Sequence, residues 1–131
     1  MKLYHFTSQW HLYFILERGR LKRTESNITS LGEGPRVVWL TTNPRPDQPW
    51  QRGAVVDKSE VRFTVDVPEE MVFHWPEWSH AQGIEEWWYN ALAKTGGDPN
   101  EWYVVCRDIP KKYWVVVEDM KTGRQLWPEK E

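Results

Sequence analysis

The chain has 131 residues, 40% of them hydrophobic, which suits one domain able to enclose a core without disulfide staples. Nineteen acidic residues against seventeen basic give a formal charge of −2, so no global field draws the protein toward nucleic acid or an anionic membrane. The single cysteine, Cys106, excludes an intramolecular disulfide framework, and its place in an apolar run predicts a buried, inert thiol in a reducing, cytoplasmic setting. No stretch approaches the roughly 20 apolar residues of a membrane helix, and the first residues lack a signal-like apolar region, so a soluble protein is expected.

Residues 3–6 read as a first strand. Ser8 follows as a helix N-cap, because its hydroxyl can accept an orphan N–H of the first turn. Leu12, Ile15 and Leu16 then recur on one helical face, and Gly19 supplies the C-cap. Residues 20–30, basic and polar and containing Thr24-Glu25-Ser26-Asn27, read as a surface loop facing the site, continued by the turn cluster Gly32-Glu33-Gly34-Pro35. Residues 37–41 are β-branched and aromatic and predict a strand. Asn43-Pro44-Arg45-Pro46-Asp47-Gln48-Pro49 ends it and forbids a helix. An irregular segment of that length in a compact domain is functional or else mobile.

Residues 61–65 alternate with the period of a half-buried strand, Val61, Phe63 and Val65 on one face and Arg62 and Thr64 on the other. From Ile84, the positions Trp87, Trp88, Ala91 and Leu92 keep the spacing of a helix face, stopped by Gly96-Gly97. Residues 102–106 and 113–117 are apolar, β-rich runs separated by Arg107-Asp108-Ile109-Pro110, and close the domain as late strands. The order is mixed α+β in a single domain over residues 1–131, with no internal repeat. Ten tryptophans are many for this length. Trp39 and Trp114 fall in strand-like runs and are expected in the core; Trp50, Trp75 and Trp78 lie among prolines and polar residues, where exposure is expected. Those three would line a ligand groove or cover a small core.

The chemistry concentrates at Tyr4-His5-Phe6-Thr7-Ser8 and Val37-Val38-Trp39-Leu40-Thr41-Thr42. A neutral imidazole on a strand can bond a ribose hydroxyl, and Thr7, two residues on, projects to the same face. Trp39 offers a ring for stacking, and Thr41 and Thr42 offer hydroxyls for an amide. The plain alternative is a structural histidine, a core tryptophan and edge threonines. No His-Glu-x-x-His pattern accompanies His74, Glu77 and His80, so no metal is expected there. Neither a Gly-x-Ser-x-Gly elbow nor a phosphate-cradling glycine motif is present.

Together, His5-Phe6-Thr7, the helix and glycine after it, and Val38-Trp39-Leu40-Thr41-Thr42 resemble the first half of compact bacterial ADP-ribosyltransferases. The similarity extends to the rifamycin-modifying and DNA-modifying types and, more distantly, to RNA 2'-phosphotransferases, and covers about the first 45 residues. It implies a single-domain split β-sandwich with two or three helices that takes NAD as its cofactor. His5 would then contact the NAD ribose, Thr7 and Thr41 would hold the nicotinamide end, and Trp39 would stand in for the family's stacking tyrosine. The family also carries a late acid. Glu60, Glu69, Glu70, Glu85, Glu86 and Glu118 are available, and Glu69 and Glu70 are favoured as catalytic partners of His5 because the rifamycin type places its acid shortly after the corresponding strand. Arg62, Arg52 and Arg23 could pair with the pyrophosphate, Arg62 most rigidly because it sits on a strand.

The leading expectation is an NAD-binding protein that transfers ADP-ribose to a macromolecular or small-molecule acceptor. The alternative is a non-catalytic, Trp-rich module that docks a protein or a single-stranded nucleic acid, where stacking contributes about 1–3 kcal/mol per base. The third reading is a stable domain with aromatic packing and no pocket of consequence.

Overall fold

The computed structural model of the chain describes residues 1–23, 36–46, 59–83 and 98–129. The helix expected from residue 84, the Thr24–Asn27 motif with its glycine cluster, and Trp50, Arg52, Glu85 and Glu86 lie outside the described residues. The first strand, β1 (Lys2–Thr7), leads through Ser8 into α1 (Gln9–Arg18). The cap forms as the sequence predicts, with the Ser8 hydroxyl accepting the His11 backbone N–H at 3.3 Å. Gly19 closes α1 at φ 71°, its N–H donating to the Ile15 carbonyl at 2.9 Å. A Cβ at Gly19 would meet Lys111 Cε at an ordinary 3.5 Å, so the penalty for a side chain there is backbone strain alone. Gly19→Ala is expected to cost about 1–2 kcal/mol in urea denaturation, and Gly19→Asn clearly less, because asparagine tolerates the left-handed region.

Residues 20 and 21 are not loop but strand. β2 (Arg20–Leu21) pairs with β7 (Ile109–Pro110) in a small antiparallel ribbon, pinned by Lys111 N–H donating to the Gly19 carbonyl. The main sheet adds β3 (Val38–Thr41), β4 (Val61–Asp66), β5 (Val72–His74), β6 (Trp102–Val105), β8 (Trp114–Asp119) and β9 (Gln125–Trp127) to β1. Its order is β5-β6-β3-β1-β4-β8-β9, every neighbouring pair antiparallel. A second helix, α2 (Trp75–Ala81), follows β5 directly. The architecture is α+β, with two helices among the described residues, neither of them long and apolar enough to cross a membrane.

The two faces of the sheet have separate cores. Leu3, Val38, Leu40, Phe63, Val65, Val105 and Val117 lie on one face, covered by Leu12 of α1 and by Leu21 and Ile109 of the ribbon. Val37, Trp102 and Val104 form the other with Trp75 of α2, and Trp39 and Trp78 pack against them. Trp114 is thus a core residue as expected and Trp39 is half-buried against the second core, but Trp75 is fully buried rather than exposed. The prolines around it were misleading: Pro76 opens α2 at its first turn, where proline's fixed φ is already helical, and so turns Trp75 onto the sheet. Cys106 departs the other way. It follows the last residue of β6 and is exposed.

Candidate functional site

His5 stands where the sheet is thinnest. β1 runs in register with β4 along its whole length, from Lys2 opposite Asp66 to Thr7 opposite Val61, but meets β3 at one pair, Tyr4 with Thr41. Beyond that pair the His5 imidazole bridges the two strands, Nδ1 lying 2.8 Å from the Trp39 carbonyl. A carbonyl only accepts, so Nδ1 carries the proton and, in the neutral ring, Nε2 is an acceptor. The ring is also held edge-on to Phe63, with centroids 6.3 Å apart. Tautomer and orientation are both set by the fold.

Strand alternation distributes the other expected residues. Leu3, His5 and Thr7 project to the face covered by α1, whereas Tyr4 and Phe6 project to the opposite one. Thr41 is the register partner of Tyr4 and shares its face, and Trp39, two residues back, does likewise. The Trp39 ring accordingly packs at 4.5 Å on Trp75 and edge-on to Trp102 at 6.4 Å. His5 and Thr7 are thus together on one side, with Trp39 and Thr41 on the other. The link between the two sets is the Trp39 carbonyl rather than its ring. Thr41 is buried and its hydroxyl accepts from the Asn43 N–H at 3.1 Å, which fixes the exit from β3.

Arg62 joins the Trp39 side. Its guanidinium lies 2.8 Å from Glu118 Oε1, donates to the Pro44 carbonyl at 2.7 Å and stacks 5.2 Å from the centre of the Tyr4 ring. These contacts hold it as a clamp between β4, β8, β1 and the segment after β3. Arg23 is likewise engaged, with Asp108 at 3.8 Å and the Cys106 carbonyl at 3.5 Å. Although Cys106 is exposed as a residue, partial desolvation pushes its thiol above its usual pKa, and the Arg23 guanidinium opposes that rise.

Glu69 and Glu70 occupy a single 3-10 turn before β5 and are both exposed. β5 is the edge strand, three positions from β1, so about 14 Å of sheet separates that edge from His5. Glu70 instead borders an open cleft of about 640 Å³ shared with Phe73, Glu77, Trp78 and Arg107. Two other carboxylates stand at the end of the sheet where β1 stops. Glu60 Oε1 accepts the Gln9 backbone N–H at 3.1 Å, and Asp119 Oδ2 accepts from Gln9 Nε2 at 3.3 Å. Asp119 is opposite Val61, which is opposite Thr7, so Asp119 shares the face of Thr7 and His5. Asp119 was not legible as a candidate, since only the β1-β4-β8 register aligns it with Thr7.

Glu77 and His80 both lie on α2, one turn apart. His74 Nε2 is 2.8 Å from the Asn100 carbonyl, and its ring rests against Tyr103. Among the described residues no cluster of three His, Cys, Asp or Glu side chains is placed to hold a metal ion. No family model, curated protein or solved structure matches this chain.

Proposed function

We propose that the chain is an NAD-binding protein of ADP-ribosyltransferase type, with its nucleotide site on the His5 side of the β1-β3 joint. The observation that carries this reading is the bond from His5 Nδ1 to the Trp39 carbonyl, which fixes the imidazole at the β1-β3 joint and gives Nε2 acceptor polarity in the neutral ring. The single register pair between β1 and β3 supports placing a cleft at this joint of the sheet. NAD, when bound, supplies an ADP-ribosyl group with nicotinamide as the leaving group. His5 orients the ribose through Nε2, and Thr7 borders the same side. Trp39 contributes its carbonyl as the anchor of His5; its ring, committed to Trp75 and Trp102, takes no part in stacking. Glu60 and Asp119, at the end of β1, are the carboxylates best placed to influence the acceptor, ahead of Glu69 and Glu70.

Isothermal titration with NAD, ADP-ribose and nicotinamide tests the reading. The wild-type chain is expected to bind NAD, and His5→Ala to weaken it at least about tenfold with its far-UV circular dichroism unchanged. Thr41→Val, on the other face, serves as a control that leaves the affinity intact. Absence of NAD binding by the wild type, or equal affinity in His5→Ala, would remove the assignment.

A further inference from the structure

α1 is apolar on two sides. Leu12, Ile15 and Leu16 face the core, while Trp10, Tyr13 and Phe14 stand outward, 71%, 65% and 45% exposed. Those three rings leave about 400 Å² of aromatic surface in water, the size of patch that on a monomer marks a contact surface. Tyr13 and Phe14 already pack edge to face at 5.6 Å, and Arg18 lies 5.9 Å over the Phe14 ring, so the patch is ordered rather than a scatter of side chains.

The charges around this stripe are polarised along the helix. Its C-terminal end carries Arg18, Arg20, Lys22 and Arg23, with Lys111 and Lys112 brought alongside by the β2-β7 ribbon; Asp108 pairs with Arg20 and Arg23. Its N-terminal end is bordered by Glu60 and Asp119 through their bonds to Gln9, with Lys121 paired to Glu60 at 3.3 Å. A surface weakly acidic at one end, aromatic in the middle and basic at the other matches itself when turned end for end.

We propose that the outer face of α1 docks a second copy of this chain, as an isologous antiparallel helix pair. With the two-fold axis passing between Tyr13 and Phe14, Trp10 of each copy lies over the Glu17-Arg18 end of the other. The indole N–H then has a carboxylate to donate to, and its ring face a guanidinium. Glu60 and Asp119 of each copy face the basic end of its mate. The aromatic rings alone would remove about 800 Å² from the two surfaces, and the flanking charged residues bring the total to the ~1,000 Å² that a specific but modest interface needs. Glu17 decides against an anionic occupant. It sits within the stripe, two turns from Trp10, where it would repel a nucleic acid or an acidic lipid surface, whereas the second copy's indole and arginine accommodate it. This interface does not rest on the NAD reading, because none of its aromatic residues takes part in the His5 contacts, although Glu60 and Asp119 border both.

Sedimentation velocity of the full chain over a concentration series tests the proposal. The wild type is expected to form a dimer with a dissociation constant on the order of 1–100 µM, weakened by salt. Trp10→Ala and, as a variant that keeps the apolar stripe, Arg18→Glu should each weaken it at least about tenfold with unchanged circular dichroism. A chain that stays monomeric at several hundred µM (on the order of 10⁻³ M as the upper limit), or a dimer indifferent to both substitutions, overturns it. So does a monomer that retains labelled oligothymidylate or phosphatidylserine vesicles through Trp10, which would assign the face to that ligand instead.

Discussion

Trp75→Ala is expected to cost about 3–5 kcal/mol, a large part of the 5–15 kcal/mol that holds a domain of this size together. Trp75 is fully buried, tilted against Trp39 at 4.5 Å and against Trp78 at 5.9 Å, and it is the residue through which α2 joins the sheet. Removing the indole leaves a cavity that the two neighbouring rings cannot collapse to fill. Its Nε1, however, is buried with no hydrogen-bond partner among the described residues. Trp75→Phe should therefore be far milder, because it deletes an unsatisfied donor while keeping most of the ring. Urea titrations followed by circular dichroism separate the two. If the phenylalanine variant were as damaged as the alanine one, the indole N–H would have to be bonded after all.

The second large effect is expected at Arg62. Its side chain is 20% exposed and that of Glu118 27% exposed, so the pair is partly shielded from water and salt. Arg62→Met removes the guanidinium from Glu118, from the Pro44 carbonyl and from the Tyr4 ring together. A loss of about 2–3 kcal/mol follows, most of it from leaving Glu118 without its charged partner. Adding Glu118→Gln should return about 1 kcal/mol or more of that loss, a coupling that a double-mutant cycle measures directly. The same variant also decides a ligand question. An arginine that gripped a pyrophosphate would take NAD affinity with it when replaced, whereas a clamp lowers stability and leaves the affinity of the folded protein intact. We expect the second pattern.

Much of the fold could be read from local chemistry. Ser8 and Gly19 announce α1 because capping is decided within a few residues, and the alternation in residues 61–65 separates Arg62 from the core before any partner strand is known. What escaped depends on who sits next to whom. β2, β5, β7 and β9 are two or three residues long, too short for a period to register, and exist because a neighbour supplies their hydrogen bonds. α2 was hidden by Trp75-Pro76, which reads as a turn unless proline is recognised in the first turn of a helix. The candidate site was legible in half. His5 and Thr7 share a face by spacing alone, but the place of Trp39 depends on the single register pair that sets Thr41 opposite Tyr4, and that is a property of the sheet.

The strand order also bears on how the chain is made. β1 is the middle strand of seven, with β3 on one side and β4 on the other. During synthesis it emerges before the other described strands, yet its full-length partner, β4, begins at Val61 and that strand's own outer neighbour, β8, only at Trp114. The chain must leave the ribosome at least as far as β8 before Leu3, Phe63 and Val117 can close over one another. Until then the centre of the future sheet has an unpaired edge, and closing it across such long loops is slow. The growing chain therefore spends that period with the central strand of its sheet uncovered, so the yield of folded protein should depend on temperature and chaperone supply more than the stability of the finished domain would suggest.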